Sequence, residues 1–154
     1  MDREAFGQAI IAMLPMLHRI AFSQLPQAAD REDAVQETIR RAWEKCGNLR
    51  QERYLKTWVV RILLNVCSTI RRRGQRALPA EWMPEQQQRR ETPLLDALMS
   101  LPEKHRLPLQ LHYIEGCSVD ETARILGIPA GTVKSRLSRG REKLRELLDE
   151  EVFG

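Results

Sequence analysis

The stretch GQRALPAEWMPEQQQRRETP, from Gly74 to Pro93, has neither the 3.6-residue spacing of a helix nor the alternation of a strand. Its Gln, Pro and charged residues mark it as a linker. It divides the chain into two halves, residues 1–73 and 94–154. On either side helical spacing recurs in nearly every long window, and no segment sustains apolar/polar alternation. The predicted fold is therefore all-α, two small helical domains joined by a flexible linker. Halves of this size fold alone only marginally, so each must close a small bundle of its own, and neither has room for a large catalytic core. The chain is 42% apolar and 30% charged, enough for packed cores beneath a heavily charged surface.

In the N-terminal half a first helix is expected from about Arg3 to Phe22, with Pro15 as the place for a kink. A second should begin at Asp30, whose carboxylate can cap the first turn, and continue through REDAVQETIRRAWEK. Three- and four-residue steps put Ala34, Val35, Thr38, Ile39, Ala42 and Trp43 on one face. Asp33, Gln36, Glu37, Arg40, Arg41 and Glu44 are left for solvent or a partner. After the loop CGNLRQER a third helix is predicted from about Tyr54 to Arg73, with Trp58, Ile62, Leu63, Val66 and Ile70 as its apolar stripe. Arg53, Lys56, Arg61, Arg71, Arg72, Arg73 and Arg76 accumulate here with no acidic residue among them. Charge beside Tyr54, Trp58 and Asn65 suits a single-stranded nucleic acid, whose backbone follows the charge while bases stack on rings. Trp58 falls on the apolar stripe and is better read as packing, which leaves Tyr54 and Asn65 as the nucleotide candidates.

In the C-terminal half Leu94 to Leu101 reads as a short helix, and Pro102 suits the first position of the next. Pro108 falls inside that second segment and should bend or loosen it. Ser118 and Glu121 form a capping box opening SVDETARIL, with Val119, Ala123 and Leu126 inward. Small Ala123, then Gly127, then β-branched Val133 meet the steric demands of a helix-turn-helix: close helix crossing, a left-handed turn residue, and a plug between the helices. On the second helix Val133, Leu137, Gly140, Leu144 and Leu148 form the buried stripe. Gly131, Lys134, Ser135, Ser138, Arg139 and Glu142 lie opposite, with Arg136 and Lys143 on one flank and Arg141 and Arg145 on the other. Short hydroxyls with long cations are the residue types a major-groove helix needs, and the N–H groups near Ala130 to Thr132 could meet a phosphate.

Other function classes are disfavoured. No uninterrupted apolar run reaches the length of a membrane span, the best segment, VVRILLNV, being split by Arg61, and the N-terminal MDREAFGQ lacks the basic-then-apolar order of a secretory signal. Cys46, Cys67 and Cys117 are far apart and without zinc-ligand spacing, so they read as reduced thiols. His18, His105 and His112 read as surface or packing residues. No catalytic residue, metal site or cofactor is expected.

Taken together, DREDAVQETIRRAWEK, YLKTWVVRILLNVCSTIRRR and LPEKHRLPLQLHYIEGCSVDETARILGIPAGTVKSRLSRGREKLREL resemble, in that order, the extracytoplasmic-function (ECF) group of bacterial sigma factors. The resemblance implies that residues 1–73 bind core RNA polymerase and open a promoter's -10 element, that 74–93 is the linker, and that 94–154 reads the -35 element. It assigns Asp33, Gln36, Glu37, Arg40 and Arg41 to polymerase docking. Asn48, Arg53, Tyr54, Lys56, Arg61, Asn65, Arg71 and Arg72 go to the -10 single strand, the loop from Asn48 to Arg53 capturing a flipped base with Asn65. Lys134, Ser135, Ser138 and Arg139 go to -35 bases, and Thr132, Arg136 and Arg141 to phosphates. It further implies a cytoplasmic protein, monomeric or in a 1:1 complex with an anti-sigma factor that could hold it at the inner membrane, and no small-molecule substrate. A stand-alone helix-turn-helix regulator is the main alternative, and a sigma-like decoy for an anti-sigma factor the second.

Overall fold

A computed structural model describes the backbone of residues 1–77 and 93–153, with side chains described for 1–74 and 93–149. The described residues are helical and contain no strand, and the chain separates into two compact units, Met1–Gln86 and Gln87–Gly154. Residues 78–92, most of the expected linker, lie outside the described residues.

The first unit is a three-helix bundle of α1 (Arg3–Gln24), α2 (Ala28–Glu44) and α3 (Leu55–Ala77), each packed against the other two. Asp2 caps α1 by accepting the Ala5 N–H at 2.7 Å, and the helix continues through Pro15. An 18-residue window of α1 reaches a mean hydropathy of 1.4. By length and composition this helix, rather than VVRILLNV, could cross a membrane. In the bundle its Phe6, Ile10, Leu17, Ile20 and Ala21 are buried. The second helix starts earlier than expected: its cap position is Gln27, without a side-chain cap bond, and Asp30 lies inside the first turn. There its charge still faces the positive end of the helix dipole. Arg31, which donates to the carbonyls of Leu25 and Pro26 at 3.2 and 3.3 Å, braces the turn between α1 and α2.

The buried stripe of α3 is Leu55, Val59, Val60, Leu63, Val66 and Cys67. Leu63 and Val66 match the expected stripe, but Trp58, Ile62 and Ile70 sit at its rim, half-buried. The reason is that α3 lies against two helices, so its buried arc is wider than one i, i+4 row and is centred on the β-branched pair Val59 and Val60. Trp58 meets Phe6 edge-on at 6.3 Å, a packing role, and Trp43 stays partly exposed beneath the Arg3 guanidinium.

The second unit contains α4 (Pro93–Ser100), α5 (Glu103–Leu109), α6 (Val119–Leu126) and α7 (Ala130–Phe153). Pro102 occupies the cap position of α5, one residue before the expected place. Pro108 has the predicted loosening effect: past it the backbone widens into a π-turn, Gln110–Ile114, closed by Glu115 N–H to Gln110 O at 3.0 Å and Cys117 N–H to Leu111 O at 2.9 Å. Ser118 and Glu121 make both bonds of the capping box. Gly127 turns the chain at φ 68°, and Ile128 N–H closes on the Ala123 carbonyl at 3.1 Å. The buried residues of α6 are Thr122 and Ile125, with Val119 and Ala123 at the edge of the core, while Leu126, also expected inward, is half-buried. That core is Leu98, Leu101, Leu109, Val133 and Leu137, so Val133 is the expected plug.

Gly140 is buried where α7 meets α5. A Cβ there would stand 2.9 Å from Leu109 Cδ1 and 3.5 Å from His105 Cβ, so the absent side chain sets how closely the two helices approach. Gly140→Val is expected to destabilise the protein by about 1–3 kcal/mol through overpacking. Gly131→Ala, where nothing lies within 4 Å of the added carbon, should not destabilise. Thermal unfolding followed by circular dichroism measures both.

Candidate nucleic-acid and protein interfaces

Three exposed faces carry the residues singled out by the sequence, two on the first unit and one on the second.

On α2 the buried row Ala34, Val35, Thr38 and Ala42 turns Asp33, Gln36, Glu37, Arg40 and Arg41 outward together. With Asp30 and the α3 residues Val66, Thr69, Ile70 and Arg73 they line an open groove of about 720 Å³. Thr69 and Arg73 belong to this groove although only their helix, and no motif, pointed to it. Along the rim Glu37 accepts from Arg40 Nε at 3.0 Å and Arg41 Nε at 2.8 Å, while Arg40 Nη1 reaches Glu44 at 2.7 Å. Hydrogen bonds from Arg40 and then Arg41 hold the Glu37 carboxyl down at about 2 from its ordinary 4.5, and the Arg40 guanidinium is raised in turn. The network therefore stays ionised throughout the neutral range.

On α3 steps of four and seven residues bring Arg61, Asn65 and Arg72 onto one stripe, opposite the buried arc, and Tyr54, at the end of the preceding turn and seven residues before Arg61, leads into it. Lys56 does not join them; it projects on the side of Val60 and Leu63. Arg71 is turned to the flank, where it donates to Gln24 Oε1 at 3.1 Å, a partner 47 residues away in sequence. The loop before α3 is ordered by two short 3₁₀ turns, Cys46–Asn48 and Glu52–Tyr54, with Asn48 N–H on the Lys45 carbonyl at 2.9 Å and Tyr54 N–H on Gln51 at 3.1 Å. Asn48 and Arg53 are exposed within it. The Arg53 guanidinium lies over the Tyr54 ring, 4.8 Å from its centroid.

On α7 the sequence projection holds over the first three turns; farther along, Leu144 and Leu147 are the half-buried residues packed against the core, in place of the expected Leu144 and Leu148. Val133, Leu137 and Gly140 are buried; Gly131, Lys134, Ser135, Ser138, Arg139 and Glu142 are exposed. Arg136 is half-buried on its flank. Thr132 donates its N–H to the Pro129 carbonyl at 3.0 Å, which removes it from the donors expected for a phosphate. Arg141 reaches back to the π-turn, where Tyr113 Oη accepts from its Nη1 at 2.6 Å. Nothing in the spacing signalled either this pair or Gln24 with Arg71, since both join residues far apart in the chain.

Beneath α7 lies His105, 3% exposed, with no hydrogen-bond partner for Nδ1. Burial, and then the charges of Lys143, Lys104, Arg136 and Arg139, lower its pKa from the ordinary 6.5, so the folded protein holds the imidazole neutral. Among the described residues no group of three His, Cys, Asp or Glu side chains is placed to hold a metal ion.

Comparison with known proteins adds the following. Residues 10–77 match the family model for sigma-70 region 2, and residues 92–144 that for sigma-70 region 4. The chain is 33% identical to the ECF RNA polymerase sigma factor SigM of Mycobacterium tuberculosis, across 96% of this chain and 79% of that protein. It is 29% identical to SigW of Bacillus subtilis, across 96% and 90%. Among solved structures it is similar to the sigma factor RpoE of Bartonella quintana in complex with the anti-sigma factor NepR, with 31% identity, a TM-score of 0.78, and 95% of this chain and 98% of that one covered. It is also similar to CnrH in complex with the cytosolic domain of CnrY, with 27% identity, a TM-score of 0.73, and 97% and 90% covered.

Two pH dependences follow. A neutral, buried His105 costs stability as the pH falls below 6.5, because the unfolded chain takes up a proton that the folded one resists. Stability should be full above 6.5 and decline beneath it, and His105→Leu should flatten that slope in denaturant melts. For Glu37 the sign is the same with a lower window: the small stabilisation that its solvent-exposed ion pairs give is present above 4.5 and is lost as the pH falls towards 2. An NMR titration should give Glu37 a midpoint near 2, and Arg40→Gln should move it upward.

Proposed function

The chain belongs to the ECF sigma factors of RNA polymerase, and on that premise we propose how its faces divide the work of promoter-specific initiation. The N-terminal unit, in the residues 1–73 read from sequence, binds core polymerase through α2 and engages the opened -10 strand through α3 and the loop before it. The C-terminal unit, 94–154, reads the -35 duplex through α7, and residues 74–93 tether the two.

The observation that carries this reading is the division of α7 into two faces. Val133, Leu137 and Gly140 are consumed by packing, which orients the helix. Lys134, Ser135, Ser138 and Arg139 face outward and have no packing duty. Hydroxyls permit close approach to base edges and the cations reach the guanine acceptors, while the Thr132 hydroxyl, its N–H being taken by Pro129, and the guanidinium groups of Arg136 and Arg141 serve phosphates. On the first unit Tyr54, Arg61, Asn65 and Arg72 form a stacking and charge track for single-stranded DNA, with Asn48 and Arg53 at its entrance. Lys56 and Arg71 contribute positive charge beside that track. The α2 groove with Asp33, Gln36, Glu37, Arg40 and Arg41 is the polymerase-facing site. Its alternating charges suit a partner helix of matching pattern better than a nucleic acid.

The protein acts without chemistry of its own: its contribution is recognition and strand separation, and the polymerase supplies catalysis. RpoE occurs in complex with the anti-sigma factor NepR, and CnrH in complex with the cytosolic domain of CnrY. We infer the same kind of control here, by a partner that covers one or both units in a 1:1 complex. The protein works in the cytoplasm, and an anti-sigma factor anchored in the membrane would hold it there until release.

Run-off transcription on fragments of the source genome, with purified core polymerase, tests the proposal directly. Transcripts from defined start sites should appear only when this protein is added; DNA binding that needs no core would point to a stand-alone regulator instead. On a promoter so defined, Arg139→Ala is expected to cost about 1–3 kcal/mol in specific binding without unfolding the protein. Glu37→Arg, which replaces the shared acceptor by a third positive charge, should weaken binding to core in a titration and leave the melting temperature nearly unchanged.

A further inference from the structure

The contact between Tyr113 and Arg141 joins the π-turn to the recognition helix. Tyr113 is 55% exposed and so has little part in the core. The turn that carries it is nevertheless fixed: His112 Nδ1 is 2.7 Å from the Cys117 carbonyl, the His112 ring meets Tyr113 edge-on at 4.8 Å, and Gly116 adopts φ 74°. From this platform the phenol oxygen takes one N–H of Arg141, and the guanidinium carbon lies 5.9 Å from the ring centroid. Arg141 shares its helical row with Lys134 and Ser138, at seven and three residues' distance, so a fixed Arg141 places a held cation on the flank of the outward face, about two turns from Lys134.

We propose that Tyr113 is a positioning residue for promoter binding, holding Arg141 as a preformed clamp on a backbone phosphate of the -35 duplex. The chemistry favours it on two counts. A long arginine loses rotamer freedom on meeting DNA, and a side chain already held in place loses less. The phenol accepts from Arg141 through a lone pair, which leaves its own O–H as a donor, so guanidinium and hydroxyl can both serve one phosphate. A phosphate contact of this kind adds affinity and sets the register of the helix without reading sequence.

The inference rests on α7 being the promoter-facing helix, and the test separates the two. Holoenzyme assembled from core polymerase and the full chain is titrated, by fluorescence anisotropy over a range of KCl concentrations, with a labelled promoter fragment found by run-off transcription. The variants are Tyr113→Phe, Arg141→Ala, their double mutant and Arg139→Ala. Arg141→Ala should lower the salt slope by about one, and should weaken all -35 sequence variants alike. Tyr113→Phe, which keeps the ring, should weaken binding about three- to tenfold and have no further effect once Arg141 is gone. A silent Tyr113→Phe, or one that weakens binding by the same factor with and without Arg141, overturns the clamp. If Arg139→Ala impairs binding in that case, α7 remains the reading helix; if Arg139→Ala is silent as well, both ideas fall.

Discussion

Each unit has so little chain that a helix can bury only one side of itself, and that constraint organises the whole protein. In the first unit α1, α2 and α3 meet along Phe6, Leu17, Ile20, Val35, Val59, Val60 and Leu63. In the second, α7 is held by Val133 and Leu137 and by the bare backbone of Gly140 against α5. Because the buried side of each helix is committed to the core, the opposite side is left facing solvent at a fixed angle. The residues proposed to meet DNA and polymerase occupy these leftover faces, so on that reading core packing and recognition are two sides of the same helices.

The exposed charges are themselves organised. Glu37, Arg40, Arg41 and Glu44 pair with one another along α2, so the face proposed for docking presents guanidinium and carboxylate groups already engaged with each other. Such exposed pairs contribute little to folding stability, and their value lies in orientation. Arg53 on Tyr54, Arg71 on Gln24 and Arg141 on Tyr113 follow the same logic, each cation resting on a ring or an amide. The neutral His105 beneath α7 has the opposite sense: a proton there would add to the charges of Lys104, Arg136, Arg139 and Lys143, and the protein is most stable without it.

Much of this was legible in the chain. The capping box at Ser118, the left-handed Gly127 and the plug Val133 are local demands of backbone geometry, and each appears at its expected position. The outward face of α7 followed from a single period. Where the reading missed, a neighbour in space had intervened. Asp30 lost the cap position because α2 begins at Ala28, directly after a tight turn braced by Arg31. The stripe of α3 shifted towards Val59 and Val60 because two helices cover it, whereas a one-row projection assumes one. Thr122 was passed over on α6 because a polar residue on the inner face breaks an apolar pattern, and Ile125 because the buried arc is centred one row away from the expected one; only the assembled core shows that both are buried.

The sequence alone determined the helical character of both halves, the helix-turn-helix and the polarity of each exposed face, since periodicity, caps and turn residues act within a few residues of one another. The tertiary structure decided the width of each buried arc, the loosening of the chain past Pro108 into a turn that carries Tyr113, and which arginines are held and by what. Those depend on distances between residues remote in the chain, which local spacing does not encode.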